Sequence, residues 1–141
     1  MEISDVKRRV GETIERAKRG AAERRARADE ASREYAAFLD RIAVPLFRQT
    51  ANVLKAQGYP FNVFTPGGSV RLISEKQPED YVELTLDTSG DEPAVMGRSG
   101  RARGRRVVES EHPIGAGPVR GLGEEEVLAF ILKALEPLVE R

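Results

Sequence analysis

A chain of 141 residues, 40% apolar and 33% charged, has the makings of one soluble domain, with or without an appendage. Its 23 basic and 23 acidic side chains cancel, which argues against a uniformly basic nucleic-acid surface, and the lack of cysteine excludes disulfides, thiol nucleophiles and thiolate metal sites. No run approaches the ~18 apolar residues of a membrane span. The opening stretch MEISDVKRRVGETIERAKRG has no apolar core of a secretory signal, so the expectation is a cytoplasmic protein without membrane contact.

The charges are unevenly laid out. Residues 1–57 carry 13 basic against 9 acidic side chains, 58–95 carry 2 against 7, 96–120 carry 6 against 2, and 121–141 carry 2 against 5. Such a mosaic favours contacts between protein surfaces, the chain's own or another's.

From Ser4 to Val44 the chain offers helix formers and a seven-residue apolar beat, with no proline before Pro45. With Ile14 at heptad position a, the a sites are Ile14, Ala21, Ala28, Tyr35 and Ile42, and the d sites are Val10, Ala17, Arg24, Ala31 and Phe38. All but Arg24 are apolar, which describes a coiled-coil-like seam. Acid-first pairs at Glu12/Arg16, Glu15/Arg19, Glu23/Arg27 and Asp29/Arg33 each add about 0.2–0.5 kcal/mol and offset Gly11 and Gly20, which cost about 1 kcal/mol each in a helix interior. Alanines in the middle of the seam require a partner to approach closely. Lys18, Arg25, Arg27 and Arg41 flank it, so a parallel pair would set like charges face to face. An antiparallel second copy, or an acidic helical partner, fits better. The plainer alternative is a solvated helix with alanines for propensity alone, but Tyr35, Phe38 and Ile42 still need covering.

Pro45 lacks an amide hydrogen and disfavours helical geometry at Val44, so the helix is expected to kink or break there. Beyond it, Leu46, Phe47, Thr50, Val53 and Leu54 form an apolar face that ends at Gly58. Short strands follow at Phe61–Phe64 and Ser69–Ser74, joined by a turn at Pro66-Gly67. Tyr81–Asp87 alternates, with Val82, Leu84 and Leu86 on one face and Tyr81, Glu83, Thr85 and Asp87 on the other. Ala94–Arg98 and Arg105–Ser110 read as two more strands, with a turn somewhere in Ser99–Gly104. Spacings this short leave no room for parallel crossovers, so the sheet is an antiparallel meander. His112–Gly123 reads as a loop. A last helix opens with Glu124, Glu125 and Glu126 against its N-terminal dipole and buries Val127, Leu128, Ile131, Leu132, Leu135 and Val139.

The sequence carries no GxGxxG, Walker loop, HExxH or GxSxG, and implies no cofactor. His112 is the only histidine, beside Glu109 and Glu111, but the two glutamates share a strand face while His112 falls at its end, short of the three or more protein ligands a metal site needs. Thr65–Ser69 has the composition of a phosphate nest and equally of a plain hairpin turn. Loop Gly115–Gly123 precedes a helix N-terminus, a ready anion site, but the three glutamates there repel an anion. No carboxylate pair has a neighbour to tune its pKa, so no catalytic or metal-binding residue is assigned and the balance is against an enzyme.

The sharpest cluster is Arg98, Arg101, Arg103, Arg105 and Arg106, interleaved with Ser99, Gly100 and Gly104. A flexible basic hairpin can follow a phosphate backbone. No aromatic residue interleaves to stack bases, which favours a solvated tip or a contact with an acidic protein surface over nucleic acid.

The expected fold is α+β: a long N-terminal helix interrupted at Pro45, an antiparallel meander of about five strands, and a C-terminal helix on the sheet. Residues 1–44 form an extended oligomerisation helix and 45–141 a compact domain. A helix of that length spans about 60 Å, whereas the remaining hundred or so residues have a radius of gyration near 13 Å. The helix overhangs its domain. The expected function is a non-enzymatic interaction or scaffolding protein, homodimeric through Val10, Ile14, Ala17, Ala21, Ala28, Ala31, Tyr35, Phe38 and Ile42. A nucleic-acid-binding accessory protein using Arg98–Arg106 is the first alternative, and a ligand or enzymatic pocket between sheet and helices the second.

Overall fold

The computed structural model describes residues 1–140, so Arg141, the end of the expected compact domain, lies outside the described residues. The helix does not stop at Pro45. α1 (Ile3–Phe38) enters a five-residue π turn (Leu39–Ala43) and continues as α2 (Val44–Ala56). The Val44 amide bonds the Leu39 carbonyl, five residues back, which widens the turn ahead of the proline. That widening relieves the clash of the proline ring with the carbonyl four residues before it. The interruption expected at Pro45 thus takes the form of one loosened turn. α2 ends in a Schellman motif: Gly58 adopts φ +91°, its amide bonds Lys55, and the Tyr59 amide bonds Leu54.

Five antiparallel strands form one meander in the order β1-β2-β3-β4-β5. They are β1 (Phe61–Phe64), β2 (Val70–Ser74), β3 (Tyr81–Asp87), β4 (Ala94–Arg103) and β5 (Arg106–Pro113). The last hairpin is longer than its composition suggested. Arg103 pairs with Arg106 across Gly104 and Arg105, and Gly104 supplies the positive φ (65°) that such a tight turn requires. β5 also takes in His112 and Pro113, and Val119–Gly121 forms a 3₁₀ turn, so the region read as one loop from His112 to Gly123 is partly structured.

The closing helix α3 (Glu124–Val139) carries Glu124, Glu125 and Glu126 in its first turn, and the Glu126 carboxylate accepts a hydrogen bond from the Gly123 amide at 3.0 Å. Register sorts the strands into two faces. One buries Phe61, Val70, Leu72, Val82, Leu84 and Val95 beneath the helices. Tyr35, Phe38, Ala43, Phe47 and Ala51 from the long helix, and Val127, Phe130, Ile131 and Leu135 from α3, complete that core. Buried Tyr35 gives its hydroxyl to the Leu84 carbonyl at 3.1 Å, and burial pushes its phenol well above the usual range, keeping it a neutral donor. α2 lies over β1 and β2, and α3 over β3 and β4. The helix joins this core from Ala31 onward, well before the division expected at Val44.

Gly97 on β4 marks where α3 rests on the sheet. A methyl group there would stand 2.5 Å from Phe130 and 2.8 Å from Ile114, both buried. Gly97→Ala is expected to destabilise the fold by about 1–3 kcal/mol through overpacking. In the same urea titration Gly90→Ala, in an open loop, should shift stability by no more than about 0.5 kcal/mol.

Candidate functional site

The longest surface left without a use by the fold is the first part of α1. Every side-chain hydrogen bond from residues 3–26 stays within the helix among the described residues: Arg8 with Asp5 and Glu12, Arg16 with Thr13. Among the described residues, none of the acid-first pairs Glu12/Arg16, Glu15/Arg19, Glu23/Arg27 and Asp29/Arg33 comes within ion-pair distance, and Arg27 turns instead to the Asp91 carbonyl (3.2 Å) and the Glu92 carboxylate (3.8 Å) at the edge of the domain. Ile3, Val6, Val10 and Ile14 remain 85%, 46%, 52% and 47% exposed, in a row with Ala17 and Ala21 along one side of this arm.

The nine expected seam residues divide at the point where the domain begins. Val10, Ile14 and Ala17 are exposed, and Ala21, Ala28 and Ile42 are half-buried. Ala31, Tyr35 and Phe38 are buried in the chain's own core, so they are closed to a second chain in this arrangement. A heptad stripe fits a sheet as well as it fits another helix, because both cover one side of a cylinder. Ile3, one step further back along the d positions, continues the same seam.

The other face of the sheet is open and charged. Register sets Arg71 (β2), Glu83 (β3), Arg98 (β4) and Glu111 (β5) directly opposite one another, an alternating row across four strands. Arg71 Nε lies 2.9 Å from Glu83, Arg98 reaches Glu83 at 3.4 Å, and Arg98 also meets Glu109 at 3.2 Å and Glu111 at 3.5 Å. Arg71 sits 4.6 Å above the Tyr81 ring, which itself covers Gly100. Glu83 is only 4% exposed, although strand alternation alone places it toward solvent. The Arg71 and Arg98 guanidinium groups close over it from either side.

The arginine cluster therefore splits. Arg98 is held by three glutamates, whereas Arg101, Arg103, Arg105 and Arg106 lie beyond Gly100, where β4 pairs only with β5. Among the described residues these four take part in no ion pair, and the Arg101 Nε is buried without a hydrogen-bond acceptor. Glu109 and Glu111 lie on the open face, while His112 contacts Phe130 on the helical face at 5.6 Å, so the three do not converge. The turn at Thr65–Ser69 uses its last amide internally, from Ser69 to Pro66.

A groove of about 490 Å³ lies where the arm leaves the domain, floored by Ala31, Val95, Ile114 and Val119 and bounded by the glycine loop. Arg27 with Glu92 and Arg120 with Glu34 (3.7 Å) stand at its rim. Sequence spacing gave no sign of it, since its walls come from three separate stretches of chain. No family model matches the chain, and no curated protein or solved structure matches it. Among the described residues, no helix is long and apolar enough to cross a membrane.

The charged row yields a stability test. Glu83→Ala is expected to destabilise the fold by about 1–3 kcal/mol, since two arginines lose a shared buried acceptor. Glu109→Ala, at the exposed end of the network, should change it by less than about 1 kcal/mol. Urea unfolding of both variants compares them directly.

Proposed function

We propose that this protein is a non-enzymatic interaction or scaffolding protein that self-associates through its N-terminal helix as a coiled-coil-like homodimer. The observation that carries this reading is the row of exposed aliphatic side chains Ile3, Val6, Val10 and Ile14 on a helix that has left its own domain. Single exposed aliphatics are ordinary, but four in one stripe on a solvated arm form an apolar surface of the kind that a second helix covers. Among the described residues, no arm side chain joins the core of the fold, so the arm's sequence is free to serve assembly. The charged open face and the long β5 edge leave the domain with further polar surface for docking.

The self-association is tested by light scattering and sedimentation across micromolar concentrations. Val10→Asp and Ile14→Asp should each raise the dimer dissociation constant at least tenfold, about 1.4 kcal/mol, while leaving the thermal unfolding of the domain unchanged. A monomeric mass for the unsubstituted protein throughout that range removes the reading.

The β4–β5 tip supports a second reading, a nucleic-acid-binding accessory protein, because its four remaining arginines lack acidic partners among the described residues. Binding to mixed-sequence duplex DNA should then weaken with salt by a log–log slope of about 0.9 per phosphate neutralised. Arg103→Ala and Arg105→Ala should each reduce that slope by about one. Absence of binding at ~50 mM salt eliminates the tip as a phosphate site.

A further inference from the structure

We infer that the arm pairs with the arm of a second copy in antiparallel orientation, in one register, with its two-fold axis at Glu12. The inference rests on the self-association proposed above and specifies its geometry. Three observations select it: how much of the seam is free, where the basic residues fall, and where the two arm glycines stand.

In an antiparallel pair each a residue meets a d residue of the other helix. Setting Val10 against Ile14 of the second copy also sets Ile3 against Ala21 and Lys7 against Ala17. Every layer then joins a large side chain to a small one, or two aliphatics of middle size, and Lys7 passes over an alanine toward water. The flanks follow from the same register. Ser4 lies beside Lys18 of the second copy, and Glu2 alongside Arg24 and Arg25. Parallel pairing would instead oppose Lys7 and Arg24, at a and d positions, with themselves.

Sliding the pair by a heptad in either direction is worse. One heptad longer brings Lys7 against Arg24 and drives the N-terminus of the second copy to residue 30, where Ala31 is already buried and Arg27 is fastened to Asp91 and Glu92. One heptad shorter leaves Ala17 and Ala21 uncovered. In the chosen register the second helix ends near residue 23, just short of the domain.

The glycines then have a use. Gly11 and Gly20 lie in an exposed helix, where each costs about 1 kcal/mol relative to alanine. A methyl group at Gly11 would touch nothing in the chain, and at Gly20 it would meet only the flexible end of Arg24. Nothing within the chain calls for a small residue at either site. In the antiparallel register Gly11 faces Gly11 of the second copy and Gly20 faces Val6. Both glycines therefore lie on the flanks of the seam, turned to the second helix and not to open water.

This geometry holds the two domains at opposite ends of a rod, with the Arg27 positions about 45 Å apart. The chain has no cysteine, so single cysteines report cleanly. A spin label at Ala26→Cys, on the outer side of the arm, should give an inter-label distance of about 40–45 Å. A distance below ~25 Å in a dimer means parallel helices and overturns the inference while leaving self-association standing. Under oxidation Thr13→Cys should cross-link to itself. Ile3→Cys should not, but Ile3→Cys mixed with Ala21→Cys should. Self-cross-linking of Ile3→Cys overturns the register. Gly11→Leu, which improves helix propensity, should raise the dimer dissociation constant at least tenfold; tighter association of that variant also overturns the inference. A monomer at every concentration overturns both this geometry and the function on which it rests.

Discussion

Length mismatch governs this molecule. The helical run of 36, 5 and 13 residues measures about 80 Å, while five strands at ~4.8 Å spacing make a sheet only about 20–25 Å across. A sheet of that width can bury a few turns of helix and no more. The domain accordingly takes the stretch from Ala31 through Ala51 and leaves the first seven turns in solvent. Pro45 falls inside the buried stretch, where a broken helix would have exposed unpaired carbonyls. The π turn keeps the backbone paired and lets Tyr35 and Phe47 lie on the same sheet.

A second consequence concerns the sheet's uncovered face. With both helical layers on one side, the other face must be stable in water, and it meets that demand with charge. Arg71, Glu83, Arg98 and Glu111 alternate across four strands, so each interior member has an opposite charge on both sides. Glu83 is the centre of the row, and its burial is tolerable because two guanidinium groups satisfy its carboxylate. Drawing Arg98 into this row changes the meaning of the neighbouring cluster. The basic character of the hairpin is confined to its tip, a smaller and more local feature than five arginines in sequence suggest.

Arm and domain meet at two ion-paired contacts, Arg27 with the Asp91–Glu92 corner and Arg120 with Glu34. Both are partly exposed and individually weak, but they flank the point where the helix passes from buried to solvated. The arm therefore departs in a set direction, as a continuation of the buried helix. Two such arms joined side by side would hold two domains at a fixed separation, an arrangement suited to a spacer or a bivalent scaffold.

Much of this architecture was legible from local chemistry. The absence of proline before Pro45, the Gly58 cap, the alternation of Val82, Leu84 and Leu86, and the three glutamates before Val127 specify their elements through backbone constraints and one-sided patterning that act over a few residues. The length of the helix and the overhang it implies were legible as well. What the helix covers was not, because the stripe containing Ala31, Tyr35 and Phe38 suits a sheet or a second helix equally, and only the folded chain shows the sheet beneath it. The same holds for Glu83, Arg98 and the groove beside the glycine loop. Their surroundings are assembled from strands and turns far apart in sequence, and cross-strand register is fixed by the fold as a whole.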